Sequence, residues 1–417
     1  MRNNRHTTKT TFYEIHPQSI KHLGLGHPWI TKDSYTDKFP QKPGLIATAS
    51  KDKKSSWIFI GDPEHKSVKA RYWSEYSNAR FKKHNFWNEF ENRLDSAVTF
   101  REELRLLEER ENFFLVFGEA DQIPGLFIQR LGEVILVQSY CNFWDASSKI
   151  LFSIIKKFFT EKYPTQIFKY FFQSRNKKQK IIIQEYDYKN DFVIHNKNLD
   201  IECSEFGLKY NLNLGRSYDI GIYTDMSSIR KKIGDLLKPG HSLLNLFSYT
   251  GAFSIFGLKK GLENVHSVDL SQKYLDILQN NILINDLPKD AHQSFCSSVD
   301  DFLKTATKEK KKYDHIVCDP PSSSTDGKKT TNALKNYEKL LPELSKVLNT
   351  HGHLYLFLNT HKVTWKKFEN EISKTIKTLG LERVRRLSPT EDFKKLPGFI
   401  EGDYLKGLLL KKIIKST

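Results

Sequence analysis

Three segments in the carboxyl-terminal half constrain the fold of this chain more than any other feature. Residues 243–253 read Leu-Leu-Asn-Leu-Phe-Ser-Tyr-Thr-Gly-Ala-Phe, which predicts a buried strand, a tight turn and a helix start. Two further strands are predicted over 265–269 and 315–319, the first ending in Asp269 and the second in Asp319, with two prolines following Asp319. This order is typical of a doubly wound α/β sheet that binds a nucleoside-containing cofactor at the carboxyl ends of its strands. We interpret the cofactor as S-adenosylmethionine.

The hydrophobic pattern divides the chain into three predicted domains. Residues 1–84 carry short β-like pieces between Gly, Pro and Lys and show no helical periodicity, which indicates a small β-rich domain. Residues 85–200 open with apolar residues at three- and four-residue steps and continue with strands, an α+β pattern in which 113–117 and 132–137 form a hairpin. Residues 201–417 alternate strands and helices.

The expected elements of residues 201–417 follow from this alternation. Strands are predicted near 243–247, 265–269, 315–319 and 353–358, and helices near 252–260, 271–284, 331–348 and 363–379. A last strand over 404–410 is predicted to pair with 381–387 in a closing hairpin.

Charge and cysteine usage narrow the class of protein. The formal net charge is +17, which points to a polyanionic partner, with nucleic acid as the first choice. We find no apolar run of about 18 residues and no leader, so we expect a cytoplasmic protein that does not span a membrane. The cysteines at 141, 203, 296 and 318 form no CxxC pair, so we expect no structural metal site.

Basic residues near aromatic ones are the candidates for nucleic-acid contacts. Lysine and arginine neutralise phosphates, and aromatic rings stack on unpaired bases. The candidates are Arg71, Lys82, Lys83, Lys177, Lys178, Lys328 and Lys329. The last two lie beside the loop after Asp319. An enzyme acting on a base would need that base unstacked or flipped.

Five short motifs carry a resemblance to a known family. They are Gly-His-Pro-Trp-Ile at 26–30, the segments 118–126 and 221–225, the turn at 245–251, and Asp-Pro-Pro-Ser at 319–322. In this order they resemble the large-subunit rRNA methyltransferases, which join an RNA-binding PUA domain, an α+β linker domain and a Rossmann-like class I methyltransferase domain. The resemblance implies ribosomal RNA, 23S, as the partner. It leaves the oligomeric state open, with a homodimer among the options.

The residues expected to bind the cofactor come from both lines of reasoning. The turn itself comprises Phe247, Ser248, Tyr249, Thr250 and Gly251, after Asn245 in the strand, and Asp269 is placed to accept ribose hydroxyls. The resemblance adds a segment folded over the cofactor, with Asp225 orienting its methionine end, and an adenine-side contact; the residues concerned are Tyr223, Asp225, Arg230, Ser298 and Asp319.

The expected catalytic residues are Asp319, Pro320, Pro321 and Asn359. Cytosine C5 is a poor nucleophile, and enzymes that methylate it first add a Cys thiolate to C6. The resemblance implies such a cysteine after the strand that precedes residue 359, where this chain has Asn359. Cys318 should face away from the site if Asp319 faces it, because neighbouring strand side chains alternate.

Asn359 makes this region similar to the related guanine-N7 methyltransferase domain. Guanine N7 carries an exposed lone pair and needs positioning without a covalent intermediate. The sequence therefore favours a guanine-N7 rRNA methyltransferase. The alternatives are a cytosine-C5 rRNA methyltransferase, a small-molecule or protein methyltransferase, and a non-catalytic RNA-binding assembly factor.

Overall fold

A computed structural model describes most of the chain. The described residues are 11–32, 42–50, 55–75, 85–176, 183–187, 189, 191–195, 199–214, 220–321, 323–325, 330–389 and 392–414. The chain divides into two compact units. Unit 1 comprises Met1–Cys203, Asn213–Ile220 and Asp392–Phe399, and unit 2 comprises Ser204–Leu212, Gly221–Glu391 and Ile400–Thr417.

The first sheet of unit 1 lies within the residues predicted as a β-rich domain. Its elements are β1 (Thr11–Glu14), α1 (Pro17–Gly24), β2 (Trp29–Thr31), β3 (Gly44–Ala49), β4 (Ser56–Gly61) and β5 (Val68–Glu75). The strand order is β1-β3-β4-β5-β2. Helix α1 was not predicted, because it has only two turns, too few to show a period. His16 begins it by accepting the Gln18 amide, and Pro17 fits the first turn.

The second sheet of unit 1 corresponds to the predicted α+β region. Its elements are α2 (Phe86–Glu103), β6 (Asn112–Phe117), β7 (Leu126–Leu131), β8 (Val134–Ser139), α3 (Asn142–Ala146), α4 (Ser148–Lys162), β9 (Lys169–Ser174), β10 (Ile183–Tyr186) and β11 (Phe192–His195). The strands follow the order β11-β10-β9-β8-β7-β6. The predicted hairpin of 113–117 with 132–137 is wrong, because β7 lies between them and turns tightly into β8 at Gly132.

Unit 2 contains a seven-stranded sheet between helices. The strands β12 (Leu199–Glu205) and β13 (Leu208–Leu214) pair with each other, and the boundary between the two units falls within both strands. The elements that follow in unit 2 are α5 (Ser227–Gly234), β14 (Ser242–Leu246), α6 (Ala252–Lys259), β15 (Asn264–Asp269), α7 (Gln272–Ile284), β16 (His292–Cys296), α8 (Val299–Lys308), β17 (Tyr313–Cys318), β18 (Ser323–Thr325), β19 (Thr330–Asn332), α9 (Ala333–Val347), β20 (Leu348–Asn359), α10 (Trp365–Thr378), β21 (Leu381–Leu387) and β22 (Leu405–Lys412).

The order β16-β15-β14-β17-β20-β22-β21 is that of a doubly wound sheet, and the predicted α/β, Rossmann-like fold is confirmed. The first five strands are parallel, and β22 pairs antiparallel with both β20 and β21, which confirms the closing hairpin. The central strand β14 is buried along its whole length, as expected where helices cover both faces of a parallel sheet. Helix α8 was not predicted.

Among the helices in the described part of the chain, none is long and apolar enough to cross a membrane.

Candidate active site

Four predicted site segments meet at one edge of the unit 2 sheet. The ladder pairs Leu246 with Val268 and with Cys318, and Cys318 with Leu356. Because these strands are parallel, the residues that follow them lie side by side at the carboxyl edge. The structure thus brings the turn after β14, Asp269, Asp319 and Asn359 to a common edge.

The turn after β14 has an unusual backbone. Phe247, Tyr249 and Gly251 have φ angles of 56°, 51° and 78°, a left-handed region that non-glycine residues rarely adopt. A Cβ on Gly251 would meet Leu278 Cδ1 at 2.0 Å, so only glycine fits where α6 begins. Backbone strain of this kind is kept where the surrounding structure holds it in place, often at ligand sites.

Asp269 fixes the turn through both carboxylate oxygens. Its Oδ2 accepts the Tyr249 amide at 2.9 Å, and its Oδ1 accepts the Ser271 amide at 2.9 Å. Each oxygen has a second lone pair with which it can accept a ligand hydroxyl. The predicted ribose contact therefore fits the geometry and stays a prediction.

Ser248 supplies an independent sign that this turn receives a ligand. Its side chain is buried, yet among the described residues its Oγ has no hydrogen-bond partner. A buried hydroxyl without a partner carries a desolvation penalty that a polar ligand group would relieve. The residues of the turn therefore fit a polar nucleoside-type cofactor.

Arg230 forms an ion pair within the protein. Its guanidinium donates to both carboxylate oxygens of Glu205, at 2.7 Å each, and to the carbonyl of Tyr223 at 3.1 Å. Both side chains of the ion pair are buried. Arg230 therefore supports the segment from Gly221 to Met226 through the Tyr223 carbonyl, and this arrangement gives its predicted cofactor contact no support. Thr250 ties that segment to the turn by donating to the Gly221 carbonyl at 2.5 Å.

Three tyrosines form an aromatic cluster beside the turn. The ring of Tyr249 lies 5.2 Å from that of Tyr223 and 4.5 Å from that of Tyr274. The Tyr223 side chain is exposed. The two predicted contacts, Tyr223 and Tyr249, are thus adjacent.

Two carboxylates of the site interact electrostatically. Burial raises the pKa of Asp225, and a 2.8 Å hydrogen bond from the Tyr404 hydroxyl, together with Arg230, opposes this rise. Burial and the negative charge of Asp225 raise the pKa of Asp319 to about 7. A cation placed near both carboxylates would stabilise their ionised forms, and S-adenosylmethionine carries an ammonium and a sulfonium.

The loop after β20 is held by residues that the sequence analysis missed. The Thr360 amide donates to the Tyr404 carbonyl at 2.8 Å, and Nζ of the buried Lys406 donates to the Thr360 carbonyl at 3.1 Å and the Asp403 carbonyl at 2.5 Å. Asn359, directly before this loop, is exposed. In the sequence these two residues appear only as a tyrosine and a lysine at the start of an apolar run, which does not indicate their role in holding the loop.

Cys318 packs in the core. It is fully buried, and burial together with the neighbouring Asp319 carboxylate raises the pKa of its thiol. A thiolate is therefore disfavoured there, which confirms the packing interpretation. Pro320 is buried and Pro321 is exposed at the start of the following loop.

Two other predicted cofactor contacts make bonds within the protein. Asn245 is buried inside the sheet and donates to Ser254 Oγ at 2.9 Å, so its side chain has a partner within the protein, and its cofactor contact stays a prediction. Ser298 caps α8: its Oγ accepts the Asp301 amide at 3.1 Å and donates to Asp301 Oδ2 at 2.7 Å. Its adenine contact gains no support from this arrangement.

The RNA-binding candidates lie mostly outside the described residues, namely Lys82, Lys83, Lys177, Lys178, Lys328 and Lys329. Arg71 is described, and it requires a correction. Its guanidinium is buried, with Nη1 2.7 Å from Glu119 Oε1 and Nη2 3.3 Å from Asp62 Oδ2. It is committed to this ion-pair network and is not available to a phosphate.

Within the described ranges, no group of three or more His, Cys, Asp or Glu side chains is arranged to hold a metal ion.

Comparison with known proteins shows which family this chain resembles. The model of the S-adenosylmethionine-dependent methyltransferase family matches residues 178–411, more than half of the chain. A Bacillus subtilis (strain 168) protein, the candidate ribosomal RNA large subunit methyltransferase YwbD, is 29% identical over 327 residues, covering 78% of this chain and 80% of its own. Ribosomal RNA large subunit methyltransferase I of Shewanella amazonensis (strain ATCC BAA-1098 / SB2B) is 24% identical, covering 95% and 98%.

Among solved structures, SMU.776, a candidate methyltransferase complexed with SAH, is similar over 96% of this chain and 99% of its own. The TM-score is 0.80 and the sequence identity 19%, so this likeness concerns the fold.

Proposed function

The chain belongs to the S-adenosylmethionine-dependent methyltransferase family, and we propose that it methylates a base of large-subunit (23S) ribosomal RNA, with guanine N7 as the acceptor. S-adenosylmethionine is the cofactor. The observation that carries the proposal is the common carboxyl edge of the sheet, where a donor side, formed by the turn after β14 and Asp269, adjoins an acceptor side at Asn359, with Asp319 between the two.

The role of the donor side is to bind the cofactor and orient its methyl group. When bound, S-adenosylmethionine supplies an electrophilic methyl group, and the chemistry belongs to the cofactor. The Asp269 carboxylate would accept the ribose hydroxyls, and the Ser248 hydroxyl would gain the partner it lacks among the described residues. Asp225 and Asp319 would hold the positive end of the molecule, with Tyr404 keeping the Asp225 carboxylate in place.

The acceptor side favours a ring nitrogen. Guanine presents N7 and O6 as neighbouring acceptors. An amide N–H of Asn359 directed at O6 would orient N7 without blocking its lone pair. No proton has to leave N7 before it is methylated, so holding the base in line is sufficient. The buried thiol of Cys318 argues against the cytosine-C5 alternative, which needs an accessible thiolate.

The choice of ribosomal RNA is supported by the names of the two relatives and by the net charge of +17. A target base inside a helix would have to be extruded to reach the sheet edge. A PUA-like role for residues 1–84, RNA contacts at Lys82, Lys83, Lys177, Lys178, Lys328 and Lys329, and a homodimer belong to the same proposal.

Methyl transfer from labelled S-adenosylmethionine tests the substrate class. Purified protein is incubated separately with 23S rRNA, with ribosomal proteins stripped of RNA, and with a small-metabolite extract. We expect label in the RNA alone. Label in protein or in metabolites would show that the substrate belongs to that class and not to RNA. RNA binding without any methyl transfer would identify an assembly factor instead.

A further inference from the structure

The edge strand β21 contains a bulge that brings two arginines onto one face. In the ladder with β22, Arg383 pairs with Leu410, Arg385 with Leu409 and Arg386 with Leu408, which leaves Val384 as an extra residue. Residues three apart in a regular strand point to opposite faces. The extra residue at the bulge shifts the alternation of side-chain directions by one position, so the side chains of Arg383 and Arg386 point to the same face of the sheet.

Helix α10 holds these two side chains in place. Glu369 accepts Arg386 through Nε and Nη2, at 2.7 Å each, and its Oε1 also lies 2.6 Å from Arg383 Nη1. The Arg386 guanidinium lies over the ring of Trp365, 5.0 Å from its centroid. We call these four residues, Arg383, Arg386, Glu369 and Trp365, the arginine surface.

The arginine surface keeps a positive charge that faces solvent. Two guanidiniums share one carboxylate, so one charge remains uncompensated within the group. The Arg383 and Arg386 side chains are 51% and 53% exposed, while that of Glu369 is 15% exposed. A guanidinium has five N–H donors, and Glu369 takes only two from Arg386. The arginine surface therefore keeps guanidinium N–H groups that can donate hydrogen bonds to a ligand on the solvent side.

The surroundings of the arginine surface are also basic. Residues 361–387 contain five lysines and three arginines against three glutamates, a net charge of +5. On α10, Lys366, Lys367, Lys374 and Lys377 are exposed. A polyanion would be attracted to this whole face of unit 2.

The arginine surface also lies near the acceptor side of the active site. β21 runs in the same direction as β20, with β22 between them, and Leu387 aligns through Gly407 with Phe357. Two strand spacings amount to about 10 Å. Arg386 is thus near the same sheet edge as Asn359, a span that a few nucleotides would cover.

We propose that the arginine surface binds the sugar-phosphate backbone of the RNA substrate a few nucleotides away from the target base. The inference rests on the proposed RNA substrate. The N–H groups of Arg383 and Arg386 that Glu369 does not accept can donate to phosphate oxygens, and the Trp365 ring against Arg386 keeps its planar guanidinium oriented. Strand addition by a second copy is disfavoured, because a bulge and charged side chains on an edge strand oppose such pairing.

The test compares RNA binding by Arg383→Gln/Arg386→Gln with that of a charge-matched control, Lys289→Gln/Lys308→Gln. The control lysines are exposed and lie outside the arginine surface: Lys289 precedes β16, the strand at the opposite edge of the sheet, and Lys308 ends α8. For a 23S rRNA fragment we expect the arginine variant to bind about tenfold more weakly, with a salt slope smaller by about one to two, because each phosphate contact contributes about 0.7–0.9. The control should stay within about twofold, and both should bind S-adenosylhomocysteine like the wild type.

Arg383→Lys/Arg386→Lys separates charge from folding. Lysine keeps the charge but not the fork, so this variant should recover the salt slope and part of the affinity. Arginine and control variants that bind RNA equally well would overturn the proposal. So would a change of sedimentation state in the arginine variant, which would mark the surface as an interface between copies. Failure of the proposed function is a separate result, in which the wild type itself transfers no methyl group to rRNA.

Discussion

The hydroxyl of Tyr404 donates a 2.8 Å hydrogen bond to Oδ2 of Asp225, 179 residues earlier in the chain. The carbonyl of the same tyrosine accepts the amide of Thr360, directly after Asn359. One residue, placed just before the last strand, therefore fixes a carboxylate on the donor side and the loop on the acceptor side. Tyr404 is a positioning residue, because it acts through Asp225 and Thr360.

Replacing Tyr404 with Phe should weaken cofactor binding. The variant keeps the ring and the backbone bond to Thr360 but removes a donor from a buried carboxylate, a loss of about 1.5 kcal/mol or roughly tenfold in affinity. The pKa of Asp225 should rise further, so the loss should grow as the pH falls. Isothermal titration with S-adenosylhomocysteine between pH 6 and 8 measures both effects.

Tyr313→Phe is the matched control for this prediction. The Tyr313 hydroxyl lies 2.6 Å from His266 Nδ1 at the beginning of β17, at the opposite end of the strand from Asp319. Losing that bond should lower stability by about 1 kcal/mol and leave cofactor affinity unchanged. Equal losses of cofactor affinity in Tyr404→Phe and Tyr313→Phe would show that Tyr404 has no positioning role.

Cofactor affinity should depend on pH through the Asp225 and Asp319 pair. Burial and Asp225 raise the pKa of Asp319 from 3.8 to about 7, so below pH 7 the pair holds a proton that a bound cation must displace. Affinity should therefore fall as the pH drops below about 7, by up to about tenfold per pH unit for one proton. Asp319→Asn should flatten this dependence.

The same shift makes the opposite prediction for the stability of the free protein. A carboxyl with a raised pKa in the folded state binds more protons there than in the unfolded state. The contribution of Asp319 to the free energy of unfolding of unit 2 should therefore decrease as the pH rises from about 4 to about 7. Histidines of the same unit with lowered pKa values, such as His266 and His315, act in the opposite sense, so the effect of Asp319 is measured as the difference in stability between Asp319→Asn and the wild type, which should grow over this range. Denaturant titrations of both proteins across this range give the sign, and an Asp319→Asn variant whose stability relative to the wild type stays constant or falls as the pH rises would contradict the assignment.

Gly251→Ala should abolish cofactor binding. At φ 78° the new Cβ would meet Leu278 Cδ1 at 2.0 Å, so the turn after β14 must move. Gly261→Ala is the matched control, since its φ is 80° and its nearest neighbour, Pro239, is 3.7 Å away. Both pay the backbone penalty of about 1 kcal/mol. Only Gly251→Ala should lose binding of S-adenosylhomocysteine.

The acceptor-side assignment is tested by two single substitutions. Asn359→Ala should lower kcat for rRNA methylation about ten- to hundredfold while leaving cofactor affinity intact, because the exposed side chain is assigned to the base alone. Cys318→Ala should remain active and lose only about 1 kcal/mol of stability from the core. An inactive Cys318→Ala, or a covalent RNA adduct on the wild-type thiol, would reverse the assignment.

The sheet and its site edge were predictable because they follow from local rules. Apolar strands that end in Asp269 or Asp319 predict a parallel sheet, and the carboxyl ends of parallel strands meet at one edge. The turn at 247–251 was placed on the same grounds. The predicted hairpin of unit 1 missed β7 because the polar Gln129 and Arg130 interrupt its apolar pattern and its turn at Gly132 resembles any loop glycine.

Long-range pairing explains the remaining errors. Nothing in the local sequence indicates that Glu205 lies against Arg230, or that Asp62 and Glu119 enclose Arg71. For this reason the sequence suggested a ligand contact for both arginines, although each of them forms an ion pair inside the protein. The role of Tyr404 and the bulge at Val384 were inaccessible for the same reason, since each depends on a partner strand or a distant residue.

Nucleoside mass spectrometry of 23S rRNA, before and after incubation with the purified protein and S-adenosylmethionine, tests the central claim most directly. The account predicts one new 7-methylguanosine, absent when Asn359→Ala replaces the wild type. A new 5-methylcytidine, or no new methylated nucleoside in RNA that the protein demonstrably binds, would contradict it.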